Sequence, residues 1–372
     1  MSLLVSADIY SLLVGSRGRR DLEELDCAAE QKMKIIDSHC HIWGREFLPP
    51  SFFRHAAESW VRKAPGRTEA MIMPKLLDGV VDETGDDFVK NMNRAGVTAA
   101  FVMMVDAGAP LFGMEPTTTI DLQVEYYATL QERHRGRLFA HAAIDHRRTD
   151  SLSIISHAVK NLSFVGIGEI TPAGFTANDE ALRPLMWLAA DLGVPVQVHT
   201  RSGIWTELDG ANLAESNPAH PIHVARLARA LPSLKLVLCH AGYPHWWQVA
   251  AEAIADCPNC VIDVSNWNER LWEPHELVAR LAAWRSLLGI ERILFASDQV
   301  SGPRFTGARS SLGQWAAFFR DLPTNAQAAG YSFTAEETSR ILGHNAQAFY
   351  GLELEPLAHA TTEKSHHSQS AR

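Results

Sequence analysis

Five ionisable residues, His39, His41, His199, His240 and Asp298, each close a short apolar run, and together they make a set of imidazole and carboxylate donors. His39 and His41 form a His-x-His. On an extended segment side-chain direction repeats every two residues, so both imidazoles point to one side, which suits chelation of a single ion. The other two imidazoles and the carboxylate add nitrogen and oxygen ligands typical of zinc, and manganese, iron or cobalt accept the same donors. Neutral imidazole and ionised aspartate are available at pH 7, so binding requires little proton release. The expectation is a divalent metal, Zn2+ first and Mn2+ as the alternative, with one ion favoured over two. A single histidine is more often a satisfied core or rim residue. Five such placements, with Glu169 near the end of a further run, put ionisable residues at five run ends, which is much harder to assign to packing.

The elements that must bring these residues together alternate along the chain. Eight apolar or β-branched runs read as strands: Lys34 to Asp37, Thr98 to Val105, Leu138 to Ile144, Phe164 to Ile170, Pro195 to His199, Lys235 to His240, Cys260 to Val264 and Arg292 to Ser297. Amphipathic stretches such as Asp86 to Ala95, Asp121 to Arg133, Ser151 to Lys160 and Glu273 to Leu287 lie between them. Continuously apolar strands imply burial on both faces, as in a parallel sheet covered by helices. Eight βα units close into a (β/α)8 barrel, whereas a doubly wound sheet would show a Gly-rich phosphate turn after its first strand, and none is present. In a barrel the C-terminal ends of all strands open on one face, so residues distant in sequence converge there. The proline-bearing segment Ile42 to Gly85 interrupts the first unit and reads as a cover over that face.

Bulk properties narrow the function classes. The chain of 372 residues is 46% hydrophobic and 21% charged, which is enough apolar content for a large core. A net charge of -9 argues against nucleic acid and anionic lipid as partners, because both attract basic surfaces. There is no run of 18 apolar residues, hence no membrane span is expected. Five cysteines, an odd and sparse set, fit a reducing cytoplasm better than a disulfide framework, and the lone Cys257-x-x-Cys260 lacks a second pair. Residues 1–32 read as an extension, with Met33 a candidate start; 33–355 is the barrel and 356–372 a polar, disordered tail. The partner expected is a small-molecule substrate, and homo-oligomerisation is left open.

The motifs carry a more specific likeness. Ile35-Ile36-Asp37-Ser38-His39-Cys40-His41-Ile42-Trp43, the run Leu231 to Pro244 ending in Leu238-Cys239-His240-Ala241-Gly242-Tyr243-Pro244, Glu291 to Asp298, and His344-Asn345-Ala346-Gln347-Ala348-Phe349-Tyr350-Gly351-Leu352 appear in that order. Together they resemble the amidohydrolase superfamily, in its amidohydrolase-2 branch of decarboxylases and lactonases, over about Lys34 to Leu352. The resemblance implies that His39, His41, His199 and Asp298 are metal ligands, that His240 orients or polarises the substrate, and that Glu169 either bridges two ions or hydrogen-bonds a ligand histidine. Relatives commonly carry an aromatic residue and a proline after the last aspartate; here Gln299-Val300-Ser301-Gly302-Pro303 follow, so that loop does not indicate a substrate.

Candidate substrate contacts at strand ends are Arg201, Trp205, Asn266 and Arg304, since an arginine's planar fork binds both oxygens of a carboxylate. The expected activity is hydrolysis of an amide, cyclic amide or lactone, with Asp298 and His240 as catalytic residues. The rival is non-oxidative decarboxylation of an aromatic or unsaturated acid, and a non-catalytic metal-binding barrel is the third reading. Ser-His-Asp catalysis is disfavoured because no Gly-x-Ser-x-Gly elbow is present.

Overall fold

The computed structural model describes residues 34–54, 57–58, 61, 66–202 and 213–354. Strands β1 (Ile36–His41), β2 (Ala99–Met103), β3 (Leu138–Ala142), β4 (Gly166–Ile170), β5 (Val196–His199), β6 (Leu236–Cys239), β7 (Cys260–Asp263), β8 (Ile293–Leu294) and β9 (Gln299–Val300) form one parallel sheet. Its order is β8-β7-β6-β5-β4-β3-β2-β1-β9. β1, β2, β5, β6 and β7 are buried along their whole length, as staves covered outside by helices and filled inside by side chains must be.

β8 and β9 are two halves of one stave. The Val264 N–H donates to Leu294 O at 3.1 Å on one side; on the other, Ser38 N–H donates to Phe295 O at 3.0 Å and Asp298 N–H to His39 O at 2.8 Å, which closes the barrel. The continuous strand expected over Arg292 to Ser297 is therefore interrupted after Leu294. Two partners cause the break. The Phe295 N–H turns away to Ile341 O at 3.0 Å. The buried Asp37 carboxylate accepts the Ser297 N–H at 2.9 Å and the Ser297 hydroxyl at 2.5 Å. Asp298 follows in the left-handed region at φ 54°, so the chain swings its carboxylate over the barrel mouth.

β1 runs further than its apolar residues alone suggested and includes both His39 and His41, with an irregular register against β2 between Asp37 and Cys40. The terminal helix comes as three joined pieces: Ala335–Ser339, a π turn at Arg340–His344 and Asn345–Tyr350. The Ile341 carbonyl that accepts from Phe295 lies in that π turn. Asn345 Nδ2 donates to Ile290 O and Ile293 O at 2.7 and 2.9 Å, which gives the asparagine of the last motif a positioning task at the start of β8.

The floor of the barrel is apolar. Ile36, Phe101, Val237, Val261 and Leu294 pack with Ala346 and Tyr350 of the last helix, which plugs the N-terminal end. Above this layer Gln197 Nε2 donates to Ser38 O at 2.9 Å and to Tyr350 Oη at 2.7 Å. The cover segment is tied down where Trp43 pairs with Val81 and where helix Glu69–Gly79 ends against Gly302. Gly302 has φ 116°, and a Cβ there would come within 2.7 Å of Gly79 O. Among the described residues no helix is long and apolar enough to cross a membrane, and Cys40, Cys239, Cys257 and Cys260 are free thiols.

Candidate metal centre

Six side chains meet at the C-terminal mouth in two adjoining groups. His39 and His41 come from β1 and Asp298 from the break in the eighth stave; Glu169, His199 and His240 come from the ends of β4, β5 and β6. Within each group the ligand atoms lie within 4.8 Å of one another. Strand alternation sets the first pair, as the sequence implied: His39 Nε2 and His41 Nε2 face each other at 3.3 Å. Asp298 Oδ1 stands 3.2 Å from His41 Nε2 and 3.7 Å from His39 Nε2.

The outer ring nitrogens fix what the inner ones can do. His39 Nδ1 donates to the buried Asp263 Oδ2 at 3.1 Å, and His41 Nδ1 to Met103 O at 3.2 Å. With those protons committed, each imidazole in its neutral, ion-binding form turns a lone pair toward the other and toward the Asp298 carboxylate, a place that a proton or a metal ion can take. Lone pairs and a carboxylate converging in a buried space require a cation between them. The local field agrees. Burial works against a charged His39, but Glu169, Cys239 and Asp263 together overcome it and hold the ring well above the ordinary histidine range. Burial likewise opposes ionisation of Asp298, yet the hydrogen bond from His41 and the charge of His39 keep its carboxyl below the usual range. By donor chemistry the residues fit a divalent ion of the zinc or manganese type.

The second group is closed by hydrogen bonds. Glu169 Oε1 lies 2.7 Å from His199 Nδ1 and 2.9 Å from His240 Nε2, and the two imidazoles stand 3.0 Å apart. Arg201 Nη1 donates to Asn266 Oδ1 at 2.7 Å, which turns Asn266 Nδ2 onto His240 Nδ1 at 2.9 Å. An amide N–H aimed at Nδ1 makes that nitrogen the acceptor and leaves the proton on Nε2, facing Glu169. The Ser265 hydroxyl, 2.7 Å from the same Nδ1, donates its proton to Asp263 Oδ1, so the tautomer rests on the Asn266 amide alone. Burial, opposed by Glu169, lowers the His240 pKa, so the ring is neutral. The other Glu169 oxygen reaches across to the first group, 3.5 Å from His39 Nε2 and 4.0 Å from His41 Nε2.

The structure thus gathers His39, His41, Asp298, Glu169, His199 and His240. It divides the expected ligands, since His199 stands with Glu169 and His240 while the β1 histidines stand with Asp298. Arg201 and Asn266 flank the second group, with the Arg201 guanidinium 4.9 Å from the Tyr243 ring centroid and its Nε buried without a hydrogen-bond partner among the described residues. Arg304 lies beside the cover, its Cβ 3.2 Å from the position a Cβ on Gly79 would take. Trp205 falls outside the described residues.

Asp263 is the functional residue that sequence reasoning missed. One of its oxygens holds His39, and the other accepts the His240 N–H at 2.9 Å and the Ser265 N–H at 3.0 Å, so it orients both groups. The signal was present: a carboxylate inside the otherwise apolar run Cys260–Val264. Asp37, which holds the turn that carries Asp298, shows the same signal in Ile35-Ile36-Asp37.

Fold and site together define a barrel of the amidohydrolase type with a candidate metal centre at its mouth. The sequence matches the family model described as amidohydrolase over residues 36–352, and the chain belongs to that family. No functionally curated protein matches the sequence. Among solved structures, 5-carboxyvanillate decarboxylase from Novosphingobium aromaticivorans, complexed with manganese and 4-hydroxy-3-methoxy-5-nitrobenzoic acid, is similar at 14% identity and a TM-score of 0.60, covering 87% of this chain and 97% of that one. A 2,6-dihydroxybenzoate decarboxylase from Rhizobium matches at 15% identity and a TM-score of 0.55, covering 86% and 99%. A protein from Pseudomonas putida assigned as a 2-pyrone-4,6-dicarboxylic acid hydrolase matches at 18% identity and a TM-score of 0.53, covering 87% and 99%. At these identities the likeness speaks for the fold.

Proposed function

We propose that this chain is a metal-dependent hydrolase that opens a C–N or C–O bond, in an amide, cyclic amide or lactone, of a small carboxylated molecule. The observation that carries the reading is the convergence of the His39 and His41 lone pairs on the Asp298 carboxylate, whose side chain is 19% exposed while both imidazoles are buried. His39, His41 and Asp298 would hold one ion, zinc by preference, and the near oxygen of Glu169 would complete the set. A divalent ion there acidifies a water and polarises a carbonyl oxygen.

The chain's own residues do the rest. Asp298, ionised and open on one side, takes the proton from the attacking water and passes it to the leaving nitrogen or oxygen. His240, held in that tautomer by Asn266 and Arg201, would turn its Nε2 proton from Glu169 to the substrate oxygen. Arg201, stacked on Tyr243, meets the substrate carboxylate.

A second reading is favoured by the solved relatives, two of which are decarboxylases of hydroxylated aromatic acids. There the C–C bond to the carboxylate breaks, CO2 leaves, and the His240 proton goes to the ring carbon. A substrate panel on protein loaded with zinc or manganese separates the two. Acid release from lactones or amides without CO2 is the expected result. CO2 release from hydroxybenzoates without acid release transfers the assignment to the second reading, and turnover of neither by fully loaded protein sinks both.

A further inference from the structure

Arg201 reaches the second donor group through Asn266, and its remaining contacts decide how a carboxylate can approach it. Its Nε is buried with no hydrogen-bond partner among the described residues, which closes the side of the fork to a ligand. The side chain is still 17% exposed, so the end of the fork, Nη1 with Nη2, is what a ligand can take. Two groups already share Nη1. Asn266 Oδ1 accepts from it at 2.7 Å, and Glu269 Oε1 stands at 3.5 Å.

These two holds are unequal. The first is a short hydrogen bond to a buried amide. The second lies beyond the usual hydrogen-bond range, and its carboxylate is 51% exposed, where water screens it. The Tyr243 ring, with its centroid 4.9 Å from the guanidinium carbon, supports the face of the fork. Arg201 is thus fixed by Asn266 and Tyr243, and Glu269 adds charge there more than it adds position. Glu269 has anchors of its own. Its Oε2 accepts the Tyr243 hydroxyl at 3.0 Å and its backbone N–H donates to Asn266 O at 3.0 Å, so the negative charge is held beside the arginine.

We propose that Glu269 is an internal competitor for the carboxylate subsite on Arg201. A substrate carboxylate must displace Oε1 from Nη1, and Glu269 thereby sets how strongly the site prefers an anion with two coplanar oxygens. Such an anion offsets the displacement because it takes Nη1 and Nη2 together, whereas a ligand with one acceptor oxygen gains one contact and loses another. The inference rests on Arg201 as the contact for a substrate carboxylate, and not on which bond the metal centre breaks.

Calorimetry on zinc-loaded protein gives the test. Isophthalate and terephthalate offer a second carboxylate at two spacings, and the affinity of the better one relative to benzoate reads the subsite apart from the ion. Glu269→Gln keeps the volume and an acceptor for Tyr243. It should raise that ratio by about three- to tenfold, the effect of one screened charge at about 4 Å. The tighter binding should also weaken more steeply with added salt. Arg201→Gln, alone or combined with Glu269→Gln, should bring the ratio close to one. A ratio that is unchanged or lower in folded Glu269→Gln, yet is lost in Arg201→Gln, would overturn the competitor and leave Arg201 in its role. A ratio that survives Arg201→Gln, or stays near one in both wild type and Glu269→Gln, would remove Arg201 from carboxylate recognition and the competitor with it.

Discussion

The two donor groups at the barrel mouth use the same residue types in opposite ways. In the group from β1 and the eighth stave, the outer nitrogens of His39 and His41 are tied to Asp263 and Met103, and the inner ones face each other and Asp298 at 3.2 to 3.7 Å. In the group from β4, β5 and β6, a buried glutamate takes two imidazoles at 2.7 and 2.9 Å. The first group converges on a place for a positive charge, which Glu169, Cys239 and Asp263 favour there as a proton on His39 or as a metal ion. The second supplies its own protons. A histidine's role therefore follows from what its far nitrogen is bonded to, and not from its place at a strand end, which all four share.

The largest effect expected from this contrast is at Asp298. Asp298→Asn keeps the volume but cannot accept a proton, so kcat/KM should fall by about 10²- to 10⁴-fold with the protein folded and metal still bound. Near wild-type turnover with full metal content would remove Asp298 from proton transfer and make the two groups equivalent. Glu169→Gln tests the contrast from the other side. One equivalent of metal is expected in both wild type and variant, with affinity or activity lower by roughly 10- to 100-fold in the variant. Two tightly bound ions in the wild type and one in Glu169→Gln would show that Glu169 bridges, and that the second group also holds a cation.

Much of this centre was legible because barrel topology converts strand ends into neighbours. The His-x-His spacing predicted paired imidazoles, and the βα alternation predicted that residues from the fourth, fifth and sixth strands would join them. Three things were not legible. The break after Leu294 depends on Asp37 and the Ile341 carbonyl, partners more than 40 residues away in sequence. The separation of His199 from the β1 histidines depends on the place of each stave around the ring, which periodicity does not encode. Asp263 was passed over because attention to strand ends leaves out carboxylates inside strands. Asp263→Asn should lower metal affinity by roughly 10- to 100-fold, since the amide can no longer take the His39 proton and the backbone N–H donors together as an anion does. An unchanged metal dissociation constant would mean that Asp263 serves only the β6 turn.

The smallest effect on chemistry is expected at a fifth buried histidine, which isolates what makes the other four different. His141 lies on β3, fully buried, stacked on Phe101 at 5.5 Å and 5.4 Å from the Tyr350 ring, and neither ring nitrogen has a hydrogen-bond partner among the described residues. Gly166 leaves it room, since a Cβ there would fall 2.5 Å from the imidazole. Burial, helped by the charge on His39, pushes its pKa down to about 3. A histidine that binds its proton more weakly when folded than when unfolded leaves stability intact above about pH 6.5 and loses it as pH falls toward 3, because the unfolded chain takes up the proton first. His141→Phe should therefore flatten the acid limb of a pH series of melting temperatures across that window. At pH 7 it should gain about 1–3 kcal/mol by removing unpaired polar atoms, less any strain from the larger ring against β4. Metal content and turnover should not change. A variant that melts normally but loses its metal would place His141 with the mouth histidines, and the bonding of the far nitrogen would no longer suffice to tell a ligand from a core residue.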